Sequence, residues 1–207
     1  MTEIINTTAY WNNVYQKEEW ENQFPFHPEY SGNYLLVHDK ITALIPDGSN
    51  VLDIACGSGV LCRKLREQKP HTEIWGVDFS DFVIAKNREV DSDRGINYIC
   101  LDIREELHKV QMKFDVIIMS EIIEHLEAPK KVVDAALAIL KDNGLFILTC
   151  PHDMDLVDKE HLRFWGHDTL FHFLAEYGDE ITFVKFPHPY SWDMLAYFKY
   201  HPNDASL

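Results

Sequence analysis

Val51-Leu52-Asp53-Ile54-Ala55-Cys56-Gly57-Ser58-Gly59 decides how this chain is read. Val51 to Ala55 is a short, nearly all-apolar run of the kind buried on both faces of a sheet. A turn of small residues follows at once, and Val60 to Glu67 then has helical spacing. A strand, a tight small-residue turn and a helix form the opening unit of a parallel α/β sheet. Small residues let the backbone approach a ligand closely. The helix N-terminus behind them offers unpaired N–H groups to a polar or anionic group. The turn is not G-x-G-x-x-G, because Ala55 takes the first small position and Leu61 and Cys62 follow too early. That departure sets aside the pyrophosphate-gripping dinucleotide fold, and with it a nicotinamide oxidoreductase.

Outward from this unit the alternation continues. Glu73 to Val77 reads as a second strand and Ser80 to Val90 as a helix. Ile96 to Leu101 is a third strand and Phe114 to Met119 a fourth. Lys130 to Leu140 is a helix with a strong apolar face. Asp142-Asn143-Gly144 reads as a turn before a fifth strand, Leu145 to Thr149. Upstream, Tyr34 to Ile45 has helical spacing and ends at Pro46-Asp47-Gly48. Downstream, Thr169 to Glu176 is a helix. Glu180 to Phe186 and Met194 to Tyr200 are then strands joined by a proline-containing loop with no helix, hence an antiparallel hairpin. The expected class is α/β, doubly wound, with helices on both faces. Residues 1–30 differ in texture from residues 31–207, which form the expected domain. The leading segment carries Tyr10, Trp11, Tyr15, Trp20, Phe24, Phe26 and Tyr30 among polar residues. Thr7 or Thr8 caps a helix from about Ala9 to Trp20, before Pro25 and Pro28 interrupt regular structure. It reads as an aromatic arm laid over the domain, covering a ligand site.

The chain has 207 residues with 34 Asp plus Glu against 19 Lys plus Arg, a net charge of −15. This length buries a full core without disulfides or a structural metal. The acidic surplus argues against nucleic acid and anionic membrane as partners. Cys56, Cys62, Cys100 and Cys150 contain no C-x-x-C pair, so they read as buried free thiols of a reducing compartment. Met1 to Asn6 carries no basic region followed by an apolar run. No stretch approaches the ~18 apolar residues of a membrane span. The expectation is a cytoplasmic protein.

Three carboxylates fall at the carboxyl ends of successive strands: Asp53, Asp78 in Gly76-Val77-Asp78-Phe79, and Asp102 in Leu101-Asp102-Ile103. That edge is where open α/β sheets bind ligands. An acid about 20 residues beyond the glycine turn is placed to accept from a ribose diol. Each Asp alone also reads as a helix cap; the three together point to a ligand. This set resembles the cofactor motifs of class I, Rossmann-like S-adenosylmethionine-dependent methyltransferases. Phe114-Asp115-Val116-Ile117, Glu121-Ile122-Ile123-Glu124-His125-Leu126 and Leu140-Lys141-Asp142-Asn143-Gly144 extend the likeness over about Tyr34 to Tyr200. Within the family, the Glu-x-x-Glu-His segment resembles the ubiquinone-biosynthesis O-methyltransferase type. The resemblance implies a seven-stranded sheet of order 3-2-1-4-5-7-6 with strand 7 antiparallel. It also implies roles: Asp53, Ala55, Gly57 and Gly59 at the methionine end of the cofactor, Asp78 at the ribose hydroxyls, and Phe79 against the adenine. Asp102 and Ile103 would meet the adenine edge, and the Ser120 backbone the methionine amino group. Family members often have glycine where this chain has Ala55.

Methyl transfer also needs the acceptor held in line and its proton managed. On one helical turn after the fourth strand, Glu121 shares a face with Glu124 and His125. His161, in Lys159-Glu160-His161-Leu162, comes from a later segment and would join them if the loop after Pro151 folds back. Carboxylates with imidazoles suit a divalent ion such as Mg²⁺ held by Glu121, Glu124, His125 and His161. That set resembles the metal site of small-RNA 2′-O-methyltransferases. The same residues suit a metal-free arrangement with Glu124, His125 and His161 as catalytic groups, or a loop cap with no chemistry. His27 and His152 are candidate acceptor-pocket residues, and Trp11, Phe26, Tyr30, Phe164 and Trp165 candidate lid aromatics. The leading expectation is O-methylation of a small-molecule acceptor. The rivals are an RNA 2′-O-methyltransferase and a non-catalytic methyltransferase-fold binding subunit, whose usual broken glycine turn or lost ribose Asp is not found here.

Overall fold

The computed structural model describes residues 5–17, 31–152, 159–187 and 192–202. Among them are helices α1 (Thr8–Gln16), α2 (Ser31–Leu44), α3 (Val60–Gln68), α4 (Asp81–Val90), α5 (Pro129–Ala138) and α6 (His167–Leu174). The strands are β1 (Asn50–Ile54), β2 (Glu73–Asp78), β3 (Ile96–Cys100), β4 (Phe114–Ser120), β5 (Leu140–His152), β6 (Thr182–Pro187) and β7 (Trp192–Lys199). They form one sheet in the order β3-β2-β1-β4-β5-β7-β6. Strands β1 to β5 run parallel, and β7 is antiparallel to both β5 and β6. This is the order and sense that the motifs imply.

The sheet is apolar on both faces because both are covered. One face buries Val37, Ile41, Leu61, Leu65, Val83 and Ile84 from α2, α3 and α4, with Tyr15 of α1 in the same cluster. The other buries Val132, Val133, Ala136 and Leu137 of α5 with Leu170 and Leu174 of α6. Each fully buried aliphatic or aromatic side chain contributes roughly 1.5–3 kcal/mol. Register then fixes the site: Asp53 lies between Gly76 of β2 and Ile118 of β4, so strand-end residues share one edge.

Three expectations are corrected. The turn at Asp142-Asn143-Gly144 is not a break before β5; it is a bulge within it. Phe114 pairs with Leu140, and the register then slips so that Val116 pairs with Leu145. Asn143 absorbs the kink at φ +60, and its N–H donates to the Tyr200 carbonyl at 2.9 Å. Asparagine tolerates this left-handed conformation, so pairing continues through the turn-like residues. The four cysteines form no disulfide, as read, but only Cys62 and Cys150 are buried. Cys56 is half-buried and Cys100 exposed, since Cys100 ends the edge strand β3. Helix α1 is capped by the Thr7 hydroxyl, which accepts from Tyr10 N, and it ends at Gln16, short of Trp20. Trp20, Phe24, Pro25, Phe26, His27, Pro28 and Tyr30 lie outside the described residues.

The glycine turn has a steric basis. Gly59 caps α3 at φ +76, and a Cβ there would stand 2.5 Å from the Tyr98 hydroxyl. At Gly76 a Cβ would meet Cys56 Sγ and the Tyr98 ring at 2.9 Å. Tyr98 is itself fixed, since its hydroxyl donates to Asp91 at 2.7 Å. Gly59→Ala therefore combines left-handed strain with overpacking. It should lower stability by about 2–5 kcal/mol, read as a fall in the denaturant midpoint at constant slope.

Candidate active site

Asp53 and Asp78 are 2% and 3% exposed, far below what charged residues usually reach. Asp78 accepts from Gly57 N at 3.0 Å and from Ser80 N at 2.9 Å, so it ties the glycine turn to the N-cap of α4. Asn87 Nδ2 braces the same turn from α4, donating to the Gly57 carbonyl at 2.8 Å. Burial pushes the Asp78 carboxyl up to about 6 against the pull of the Ser80, Gly57 and Phe79 backbone. Burial likewise pushes Asp53 up to about 7, opposed by the Cys62 thiol and reinforced by Asp78. The Cys62 thiol donates to Asp53 Oδ2 at 3.4 Å. Two buried carboxylates with raised affinity for protons form a site that favours a ligand bringing positive charge and hydroxyl donors. Ala55 sits at φ +60. It accepts the left-handed conformation that glycine would adopt without strain.

At β3 the arrangement is less open. Arg104 N and Nε donate to Asp102 Oδ1 at 3.0 and 2.8 Å, and Nη2 to Oδ2 at 2.6 Å. The hydrogen-bonded guanidinium holds the Asp102 carboxyl below its ordinary range. Phe79 is half-buried and Ile103 buried.

The arm crosses this edge. Asn12 Nδ2 donates to Asp81 at 2.7 Å, and Asn12 Oδ1 accepts from the Ser80 hydroxyl. The Tyr10 hydroxyl bonds the Glu160 carboxylate. Tyr15 is buried, and its hydroxyl is pushed far up by burial, with Asp78 and Cys56 adding to the shift. One short helix thus touches the loop after β2 and the segment after β5.

Glu124, His125 and His161 come together from two segments. One ligand atom from each lies within 4.8 Å of the others. Glu124 is 1% exposed. His125 Nδ1 lies 3.0 Å from the Glu160 carbonyl. A carbonyl only accepts, so Nδ1 carries the proton, and Nε2 of the neutral ring presents a lone pair. That Nε2 is 3.7 Å from Glu124 Oε1. The His161 ring packs edge-on to His125 at 5.0 Å, and Trp11 of the arm packs edge-on from 5.6 Å. The later segment is tied back by Leu162 N to the Glu124 carbonyl at 2.8 Å, and by Arg163 to the Leu126 and Glu127 carbonyls.

Glu121 does not belong to this group, which corrects the expected shared face. The chain leaves β4 through a left-handed Glu121 at φ +53 and makes only one 3-10 turn, Ile123–His125. No α-helical face spans residues 121 to 125. The Glu121 carboxylate instead accepts from the Thr149 hydroxyl at 2.7 Å, and Ser120 Oγ pairs with the same hydroxyl at 2.8 Å. Phe164 is exposed and Trp165 buried. His152 ends β5. Asn6, Arg104 and Glu160 were not singled out in the sequence. They carry no motif; Asn6 brings them together, its carbonyl accepting from Arg104 and its amide donating to the Glu160 carbonyl.

A sheet of this order, with a glycine turn and buried acids at its carboxyl edge, is that of a class I, Rossmann-like methyltransferase. Residues 30–192 match the methyltransferase domain family, and the chain belongs to it. Over 105 residues it is 38% identical to a ubiquinone biosynthesis O-methyltransferase of Coxiella burnetii, covering 49% of this chain and 44% of that one. Over 134 residues it is 31% identical to the protein of that description from Xylella fastidiosa, covering 63% and 53%. The chain spans about half the length of the curated relatives it matches. The N-methyltransferase NodS of Bradyrhizobium japonicum, solved with S-adenosyl-L-homocysteine, shares the fold at TM-score 0.70 and 18% identity, covering 91% and 98%. The [4+2]-cyclase SpnF shares it at TM-score 0.76 and 12% identity, covering 96% and 98%. The fold therefore hosts more than one reaction, and the argument for chemistry rests on the site. Among the described residues no helix is long and apolar enough to cross a membrane.

Proposed function

We propose that this chain is an S-adenosylmethionine-dependent O-methyltransferase acting on a small-molecule acceptor. The observation that carries the reading is one edge holding two kinds of site. Buried Asp53 and Asp78 flank a glycine turn, and Glu124, His125 and His161 converge nearby under the same arm. The cofactor supplies an electrophilic methyl group on a sulfonium. Asp53 meets the positive charge of its methionine end, with Ala55, Gly57, Gly59 and the Ser120 backbone around it. Asp78 accepts from the ribose diol, and Phe79, Asp102 and Ile103 border the adenine. His125, through Nε2, takes the proton that a hydroxyl acceptor loses, with Glu124 stabilising the resulting imidazolium and His161 completing the wall.

The same three side chains fit a divalent ion: a buried carboxylate, an imidazole whose Nδ1 hydrogen bond makes Nε2 the basic nitrogen of the neutral ring, and a second imidazole within 4.8 Å. A divalent ion such as Mg²⁺ there would be held by Glu124, His125 and His161, and would lower the pKa of an acceptor hydroxyl. Glu121 is not part of that set, and the net charge of −15 opposes a polyanionic RNA acceptor.

Calorimetry with S-adenosylhomocysteine tests the cofactor site. Asp78→Ala removes ribose hydrogen bonds worth roughly 1–3 kcal/mol, so affinity should fall on the order of tenfold or more. Equal affinity of variant and parent would remove Asp78 from the site. Turnover on catechols, quinols and other hydroxyl acceptors, with and without a chelator, separates an ion-dependent site from a base acting alone.

A further inference from the structure

Arg104 joins three parts of the site that the motifs treat separately. Its Nε and Nη2 hold the two oxygens of Asp102 at 2.8 and 2.6 Å. Its Nη1 donates to the Asn6 carbonyl at 2.9 Å. Its guanidinium carbon lies over the Phe79 ring, 4.9 Å from the centroid. Asn6 is itself a junction of the arm. It is nearly buried, at φ +58. Its amide donates to the Glu160 carbonyl at 2.7 Å and accepts from Trp11 Nε1 at 3.1 Å.

We infer that Arg104 is a positioning residue that couples the adenine end of the cofactor site to closure of the arm. The inference rests on the reading that this edge binds S-adenosylmethionine. A base stacked between two planar groups needs roughly 7–8 Å between them, two contact distances. The 4.9 Å separation leaves no such space. Arg104 therefore backs Phe79, and an adenine uses the ring face or edge that Arg104 leaves open. The bidentate pair also fixes the Asp102 carboxylate in one orientation beside the same slot. Because the third arm of the guanidinium holds Asn6, ordering the Phe79–Asp102 wall and seating α1 draw on the same group. Coupling of this kind is reciprocal: ligand at the edge tightens the arm, and the seated arm tightens the ligand. Lysine has the charge without the planar fork, so it pairs with Asp102 but cannot reach Asn6 while lying over Phe79.

The test uses the full chain with S-adenosylhomocysteine and adenosine as probes, and compares the parent with Arg104→Gln and Arg104→Lys. Affinity is read by calorimetry, and arm closure by hydrogen exchange of the α1 amides with and without ligand. In the parent, either probe should raise protection across Thr8–Gln16. In Arg104→Gln both probes should lose affinity by the same factor, on the order of tenfold, and the gain in α1 protection should disappear. Arg104→Lys should match the parent in thermal stability and still show both losses, which a merely structural arginine would not. Variants that bind as tightly as the parent, or that keep the ligand-induced protection of α1, would overturn the coupling and leave the cofactor site standing. A parent that binds neither probe would overturn the cofactor reading and the coupling with it.

Discussion

His125→Ala should lower turnover by roughly 10²- to 10⁴-fold, the usual contribution of a positioned general base, while S-adenosylhomocysteine affinity falls far less, by what the lost Trp11 contact costs the seating of the arm. The separation follows from geometry. His125 lies past β4, with its Nδ1 held by the Glu160 carbonyl, whereas Asp78 is tied to the glycine turn and to the N-cap of α4. Its removal takes away a proton acceptor and leaves Asp53 and Asp78 with their own partners. Glu124→Gln should lose less. It keeps the shape of a fully buried side chain and removes the negative charge that stabilises a protonated His125 at 3.7 Å. If an ion works here, both variants should also lose their response to added Mg²⁺ or Mn²⁺. Parental turnover in His125→Ala would remove this cluster from the chemistry and leave positioning as the source of rate.

The sheet was legible because its signals are local and repeated. Each parallel strand is a short apolar run, and each crossover helix shows an apolar stripe, so the order of elements emerges from periodicity. Asp53, Asp78 and Asp102 were legible as a group because strand ends in such a sheet share one edge. What failed was local geometry that no period encodes. Asp142-Asn143-Gly144 has turn composition, yet pairing with β4 resumes beyond it, so the same residues make a bulge. Glu121 sits at helical spacing from Glu124 and His125, but its left-handed backbone removes the helix that the spacing assumed. Asp102 keeps its expected place at a strand end, but spacing does not show that Arg104, two residues on, binds both its oxygens. The hydrogen bonds of Asn6 to Glu160 and to Arg104 each span more than 90 residues of sequence. They depend on where the arm lands, which composition shows only as a density of aromatics.

The second large effect is a pH dependence of cofactor binding that runs opposite to that of apo stability. In the ligand-free fold Asp53 is pushed up to about 7 and Asp78 to about 6, both chiefly by burial. An unfolded aspartate titrates near ~3.9, so the folded protein binds these protons more tightly than the unfolded chain. Their contribution to stability is fully present below about pH 4 and is lost as pH rises through about 6 and 7. On this count the apo protein should become easier to unfold between about pH 4 and pH 7, with the overall profile carrying the other groups as well. Ligand binding has the reverse sign. An ammonium beside Asp53 and a diol on Asp78 favour the ionised carboxylates, so protons must leave before the ligand is held. Below each pKa, affinity falls up to tenfold per pH unit per group, which amounts to on the order of 10²–10³-fold between about pH 7.5 and pH 5. Calorimetry with S-adenosylhomocysteine should show this fall, and near pH 6 the binding enthalpy should vary with the buffer because protons are released. Asp53→Asn should flatten the upper part of the profile and keep the lower step that belongs to Asp78. An affinity independent of pH in the parent would mean that neither carboxylate faces the charged or hydroxyl-bearing parts of the ligand. The glycine turn would then be a structural corner held by Asp78, and the ligand edge would have to be sought elsewhere on the sheet.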